Sequence, residues 1–454
     1  MRFVILLASF AGALLLATLF WRLRRYARAL RIRASRDDAF VFGAALQTYA
    51  VTLARDGFEA PAGVDSTQTI LLELRVRCGW RGHWSEPFIE VEHAGRRQRQ
   101  YFERGARGQR YLNLTRMTGE KRIALSGHGI TWDAPAKLLT FARPNLANAP
   151  LLVLAPHPDD SEIAAFGLYS GSNAWIVTIT AGERSTTDVS AAGMERAAQA
   201  GWLARLRVRD SLYIPQLGGI PRERCVNLVY PDARLSAMRE HPGRSFQLAC
   251  EPGCTRASLR ALNAAPEYQH ADSDCRWPDL IADLRTLIDA QRPDVVVCPH
   301  PWLDSHIDHQ ATAAALAEAL RSSCHRPALF LLYSAHAGKT SLFPFGEAHG
   351  CVSLPPGRCS EPIADSLYSH PLDAALREGK YFALEAAHDL RTYHESGRAP
   401  PAKLIGRALR LLSAFVSGMP LSPSNYLRRA ARPNEIFLLV DAAGLTRLTS
   451  SAPP

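Results

Sequence analysis

The stretch Leu151-Leu-Val-Leu-Ala-Pro-His157-Pro158-Asp159-Asp160-Ser161-Glu162 decides how this chain is read. An apolar run stops abruptly at a histidine and two adjacent carboxylates, and a helix-like segment follows. A second cluster, His306-Ile307-Asp308-His309, comes about 150 residues later and again trails an apolar run, at 295–298. Open α/β sheets place reactive side chains in this way, just beyond the carboxyl ends of their strands.

Outward from that stretch the texture stays α/β. Strand-like runs at 151–155, 174–180, 226–230, 295–298 and 328–333 alternate with helix-like stretches at 191–206, 279–290 and 307–321. Such alternation predicts a Rossmann-like, mainly parallel sheet over residues 148–445. Residues 233–278 and 339–370, rich in Pro, Gly and charge, read as excursions over the rim. Before the sheet the pattern differs. Thr69-Ile-Leu-Leu-Glu-Leu-Arg-Val-Arg, Pro87-Phe-Ile-Glu-Val-Glu, Tyr111-Leu-Asn-Leu-Thr and Lys121-Arg-Ile-Ala-Leu are short, largely alternating runs between Gly- and charge-rich turns. They predict a small all-β sandwich over residues 61–147, either a sugar-binding module or a spacer. Residues 38–55 read as a short amphipathic helix.

The clusters supply metal-ligand chemistry. His157 and Asp160 are three residues apart past a strand end, so both side chains can converge on one ion, while Asp159 between them is left to hold a water. His306 and His309 share one face of the next helix. His309 suits a third ligand, and His306 then stands beside the open coordination position. Three protein ligands and one water describe a catalytic zinc site, whereas structural sites close all four positions. Simple loop and helix capping is the alternative for either cluster alone; two clusters in this order disfavour it.

His157-Pro158-Asp159-Asp160-x-Glu162-Ile163-x3-Gly167 together with His306-x-Asp308-His309 resembles the PIG-L/LmbE-like zinc de-N-acetylases. Thr178-Ile-Thr-Ala-Gly182-Glu183, Tyr230-Pro231-Asp232 and Arg292-Pro293-Asp294-Val295-Val296 extend the resemblance over roughly residues 150–320, with echoes at Lys380-x2-Ala383-Leu384 and Glu435-x-Phe437. Ser161 stands where many members carry Glu. The resemblance implies Zn2+ (or Fe2+) on His157, Asp160 and His309, with Asp159 as general base. It implies that His306 stabilises the oxyanion or protonates the leaving amine, with Asp308 orienting it. Arg196, then Arg184, are the candidates for the family's substrate-binding arginine, and Asp232 for a contact to sugar hydroxyls. His300 is a candidate rim contact, and His388 and His394 read as packing or surface residues.

The chain has 454 residues and formal charge +10. Residues 3–21 are almost continuously apolar, and Arg22, Arg24, Arg25, Arg28, Arg31, Arg33 and Arg36 follow directly. These features predict an uncleaved transmembrane anchor (1–21) and a basic juxtamembrane segment (22–60), with the catalytic domain on the cytoplasmic side of the inner membrane. No later basic run carries interleaved aromatics, which argues against nucleic acid as a partner. Nine scattered cysteines agree with a reducing compartment, although Cys250, Cys254 and Cys275 cluster in one insertion as a candidate disulfide or metal staple. The expectation is a membrane-anchored de-N-acetylase acting on an N-acetyl-hexosamine in a glycolipid or lipopolysaccharide-type intermediate. A non-catalytic glycan-binding scaffold, or a hydrolase of another amide, stands as the alternative.

Overall fold

The computed structural model describes residues 36–450 except 44–45, 84, 118–121, 185–194, 271–273, 338–342, 389 and 391–429, together with residues 12, 16–18, 20 and 21. Two sheets of four antiparallel strands form the expected sandwich. One is β2 (Leu46–Thr52), β9 (Ile130–Phe141), β4 (Thr69–Cys78) and β7 (Arg107–Asn113); the other is β3 (Gly57–Glu59), β8 (Arg122–His128), β5 (Phe88–His93) and β6 (Arg96–Tyr101). The helix expected over 38–55 is instead β1 (Ala39–Phe42) and β2. Residues Leu46 to Thr52 pair one for one with Phe141 to Pro135 of β9, and this long-range ladder outweighs a weak local helical signal.

Alternation sorts the residues of β4. Ile70, Leu72, Leu74 and Val76 face the sandwich core, while Leu71 faces the other way. Together with Tyr111, Leu139 and Phe141 it enters the core shared with the seven-stranded sheet that follows in the chain. Burying each such side chain contributes about 1.5–3 kcal/mol. The sandwich is thus packed onto the α/β part of the chain, and Asn113 Nδ2 seals the seam with bonds to Val352 O (2.9 Å) and Ser369 Oγ (3.0 Å).

The larger sheet has seven strands in the order β12 (Cys225–Tyr230), β11 (Ala174–Thr180), β10 (Leu151–Ala155), β13 (Val295–Pro299), β14 (Leu329–Tyr333), β17 (Asn434–Val440), β16 (Ser366–Pro371). The first five are parallel, and β17 and β16 add antiparallel pairings, so the sheet is mixed. Strand β16 and β15 (Arg358–Ala364) lie in the stretch read as a rim excursion; β15 pairs with β1. Leu152 and Leu154 of β10 enter one core and Leu151 and Val153 another, which is why that strand is apolar throughout. Helices α1 (Asp160–Tyr169), α2 (Arg196–Tyr213), α3 (Leu235–Glu240), α4 (Arg256–Arg260), α5 (Trp277–Gln291), α6 (Ile307–Ser322), α7 (Ala374–Ala386) and α8 (Ala442–Ser450) complete the domain. The chain runs β10 to β11 to β12 in one direction, then returns to place β13 on the other side of β10. The strand order therefore reverses between β10 and β13, where open sheets bind ligands.

Among the described residues no helix is long and apolar enough to cross a membrane. This overturns the expected single-pass anchor and the inner-membrane location drawn from it. A span needs a continuous apolar helix of about 20 residues, and none of the described helices provides one. Most of the stretch 3–21, and of the basic segment after it, lies outside the described residues. The lipid linkage of the substrate was inferred from the anchor and loses its basis with it.

Candidate active site

The turn after β10 is tight. Asp160 Oδ2 accepts the backbone N–H of His157 at 2.9 Å, and Asp159 O accepts the first helical bond of α1, from Ile163 N–H. Three donor atoms from two strand ends then converge. His157 Nδ1 is 3.1 Å from Asp160 Oδ2, His309 Nε2 is 3.1 Å from the same oxygen, and the two ring nitrogens are 3.2 Å apart. Ligand atoms about 2.0–2.1 Å from a tetrahedral zinc stand roughly 3.3 Å from one another, so His157, Asp160 and His309 fit such an ion.

The electrostatics agree. Burial alone would strip charge from these rings and protonate the carboxyl. Yet Asp160 and Asp304 outweigh burial at His309, holding its pKa up to about 10. Asp160, Asp232 and Asp308 outweigh it at His157, whose pKa lies well above the ordinary histidine value. At Asp160, burial is outweighed by His309 and His157, and the pKa falls well below the usual carboxylate range. The cluster demands positive charge, which a divalent cation satisfies.

Each ligand ring is oriented from behind. His309 Nδ1 lies 3.0 Å from Asp304 Oδ2, which leaves Nε2 for the ion. Asp304 is itself fixed by the backbone N–H groups of His306 (3.0 Å), Ala335 (2.8 Å) and His336 (3.2 Å). His157 Nε2 is 3.3 Å from Asp232 Oδ1 and 3.5 Å from Asp308 Oδ2, which leaves Nδ1 for the ion. The expected orientation of His306 by the Asp308 carboxylate is not what the geometry provides. That carboxylate turns toward His157 and is held by the N–H groups of Ala233 (2.7 Å) and Leu235 (3.1 Å). It is the backbone N–H of Asp308 that meets His306, donating to Nδ1 at 3.3 Å. The half-buried His306 ring stands edge-on to His157, with centroids 4.7 Å apart. Burial, and then the charges of His157 and His309, lower its pKa.

Asp159 is buried and meets Arg207 of α2, with Oδ1 to Nη2 at 3.3 Å. Arg207 also donates to Gly182 O at 3.0 Å. Gly182 has φ +69, and a Cβ there would stand 2.5 Å from Arg207 Nη1, so a side chain there would be strained and would push Arg207 aside. Arg196, the expected substrate-binding arginine, is exposed at the start of α2. Arg184 has an exposed side chain and only its backbone N–H reaches the cluster, donating to Asp232 Oδ2 at 3.0 Å. Asp232, expected at sugar hydroxyls, is buried against His157 and backs the metal-facing ring.

His300 is fully buried and braces its loop. Nε2 lies 3.0 Å from Ile363 O, Nδ1 accepts from Trp302 and Leu303, and burial lowers its pKa to about 4. His388 binds Asp210 at 2.6 Å; His394 lies outside the described residues. All nine cysteines are free, and no group of metal ligands among the described residues includes Cys250, Cys254 or Cys275.

Sequence reasoning missed Asp304, His336 and Arg207. Arg207 was findable, because it interrupts an apolar helical face formed by Leu203, Ala204, Val208 and Leu212, where a buried arginine needs a partner. Asp304 sits in a loop with no spacing signal. The residues behind the two late sequence echoes prove structural. Lys380 Nζ pairs with Glu435 Oε1 at 2.7 Å and donates to Ile163 O at 2.9 Å, and Glu435 accepts the N–H groups of Gly167 and Leu168. Together they clamp α1, which carries Asp160.

Residues 152–320 match the family described as PIG-L: GlcNAc-PI de-N-acetylase. Among solved structures the chain is similar to the A40926 pseudoaglycone deacetylase Dbv21, at 16% identity over 65% of this chain and 98% of that one, with TM-score 0.34. It is similar to the zinc-inhibited form of teicoplanin deacetylase Orf2, at 16% identity over 64% and 98%, TM-score 0.31. It is also similar to GalB, the 4-carboxy-2-hydroxymuconate hydratase of Pseudomonas putida, at 12% identity over 64% and 95%, TM-score 0.30. No curated protein matches.

Proposed function

We propose that the chain is a metal-dependent de-N-acetylase that releases acetate from an N-acetyl-hexosamine. The observation that carries this is the triangle of His157 Nδ1, Asp160 Oδ2 and His309 Nε2, with Asp159 and His306 standing beside it. The PIG-L match over the same residues supports it. A bound zinc-type ion supplies Lewis acidity at the amide carbonyl and acidifies a water.

The chain's own residues do the rest. Asp159, held by Arg207, accepts the proton of the attacking water at a carboxylate oxygen. His306 Nδ1 is occupied by the Asp308 N–H, so a neutral ring carries its proton on Nε2. That N–H donates to the oxygen that becomes negative as the carbonyl is attacked. The proton taken by Asp159 passes to the departing nitrogen. Asp232, Asp308 and Asp304 act by positioning, because each fixes the tautomer of a ligand histidine.

The test is acetate release from N-acetylglucosamine by the zinc-loaded protein and by Asp159→Asn. A fall of about 100-fold or more is expected; equal rates in the two would overturn the assignment and leave a binding role.

A further inference from the structure

The metal cluster has two unlike flanks. One is charged: Asp159 with Arg207, Asp232 with Glu183, and the exposed Arg184. On the other lies a hollow of about 80 Å3, open at its mouth, whose wall includes Ile163, Ala164, Ala335, His336, Phe343 and Ile436. His336 joins hollow to cluster. Its ring offers a nitrogen within 4.8 Å of the ligand atoms of Asp160 and His309, and its side chain lines the cavity. Ile163 and Ala164 follow Asp160 by one turn of α1.

The polar side chains on that wall are already engaged. Lys380 is spent on Glu435 and Ile163 O. Arg432 donates to the carbonyls of Pro344, Gly346 and Gly350, and Asn434 Nδ2 to Val352 O and Ser369 Oγ. Ser353 Oγ, buried without a partner, and the His336 ring are the exceptions. A wall of this kind gives the many hydroxyls of a sugar almost nothing to bond, so a sugar there would lose its hydration uncompensated. An apolar chain loses nothing and gains burial.

An amide has two halves, and the cluster has one flank suited to each. We propose that the hollow is an acyl pocket, and that the chain also hydrolyses N-acyl amino sugars whose straight acyl chain is longer than acetyl, on the order of four carbons or more. The inference rests on the amide-hydrolase reading above and widens its substrate class. The reaction is R–CO–NH–R′ + H2O → R–COO− + R′–NH3+: the C–N bond breaks, a C–O bond forms, and the protons of water end on the amine. The charged flank receives the sugar, and the hollow receives R.

The experiment compares kcat/KM of the full-length, zinc-loaded protein on N-acetyl-, N-butanoyl- and N-octanoylglucosamine. Each buried methylene is worth about fourfold in binding, so butanoyl is expected to exceed acetyl by about fifteenfold. Ala164→Phe, which fills the hollow, should lower the octanoyl-to-acetyl ratio at least tenfold, and Phe343→Ala, which widens it, should raise that ratio. Acetyl turnover with butanoyl no better, and ratios unmoved by both variants, would overturn the acyl pocket while leaving the amide-hydrolase reading standing. Absence of turnover on all three amides would overturn both.

Discussion

Replacing Asp304 by asparagine tests whether the carboxylate behind His309 tunes the metal site. Asp304 receives four hydrogen bonds: from the His309 ring and the N–H groups of Ala335 and His336 at Oδ2, and from the His306 N–H at Oδ1. An asparagine keeps the better part of this by leaving its oxygen at the Oδ2 position. Its NH2 group then faces the His306 N–H, donor against donor. One unsatisfied buried donor costs about 1–3 kcal/mol of stability. The separate effect on the metal comes from charge. A neutral amide still accepts from Nδ1 and preserves the tautomer, but it makes His309 a weaker ligand, and loss of such a partner lowers metal affinity about 10–100-fold. Zinc affinity is read by competition with a chromophoric chelator, and stability by urea unfolding of both proteins in excess chelator, which separates the two effects. An affinity within threefold of wild type, in a variant that still folds, would refute the role given to Asp304.

Four further outcomes follow from the same contacts. Removing the metal with a chelator should lower the melting temperature, since a ligand at about 100 times its Kd contributes about 2.7 kcal/mol; an unchanged melting temperature would count against a metal held in the fold. Lys380→Met strands a buried Glu435 and should destabilise by about 3–5 kcal/mol, near the lower value because Gly167 and Leu168 still donate to it; denaturant midpoints of the single and double variants with Glu435→Gln measure this. Arg207→Lys should depress turnover more than Arg196→Lys, because only Arg207 reaches Asp159; steady-state kinetics of the two decide it. Burial, then the charge of Asp232, pushes the Glu183 carboxyl up to about 7. A raised folded pKa stabilises fully below the ordinary value near 4.5 and is lost as pH rises through 7, a span of roughly 3 kcal/mol. Glu183→Gln should therefore flatten the dependence of unfolding free energy on pH between about 4.5 and 7.

The strands and helices around the site were legible because each satisfies a strong local rule. Leu151–Ala155 is apolar on both faces as a central parallel strand must be, and α6 starts at His306 as the spacing of the second cluster suggests. What was illegible depends on partners distant in sequence. Strand β2 is a strand because β9 lies beside it, and β16 and β17 extend the sheet by antiparallel pairing across a long excursion. The apolar N-terminus misled for a related reason. Hydropathy along a chain reports only that a segment would tolerate lipid.

The site divides in the same way. The three residues whose ligand atoms converge sit at strand ends in short motifs, so His157, Asp160 and His309 declared themselves by spacing. Residues that orient them act through an imidazole's second nitrogen, and that nitrogen points away from the motif. Asp304 and Asp308 lie within five residues of His309, yet they serve different rings: Asp304 backs His309, and the Asp308 carboxylate backs His157 from the other strand end. A linear reading paired Asp308 with its neighbour His306 because adjacency was all it could use. The fold instead ties α6 to the β10 turn through the His157 ring, whose Nε2 faces Asp232 and Asp308 while Nδ1 faces Asp160 and His309. A change at Asp308 should therefore act on the metal through His157 and leave the capping bond to His306 in place, since the backbone makes that bond.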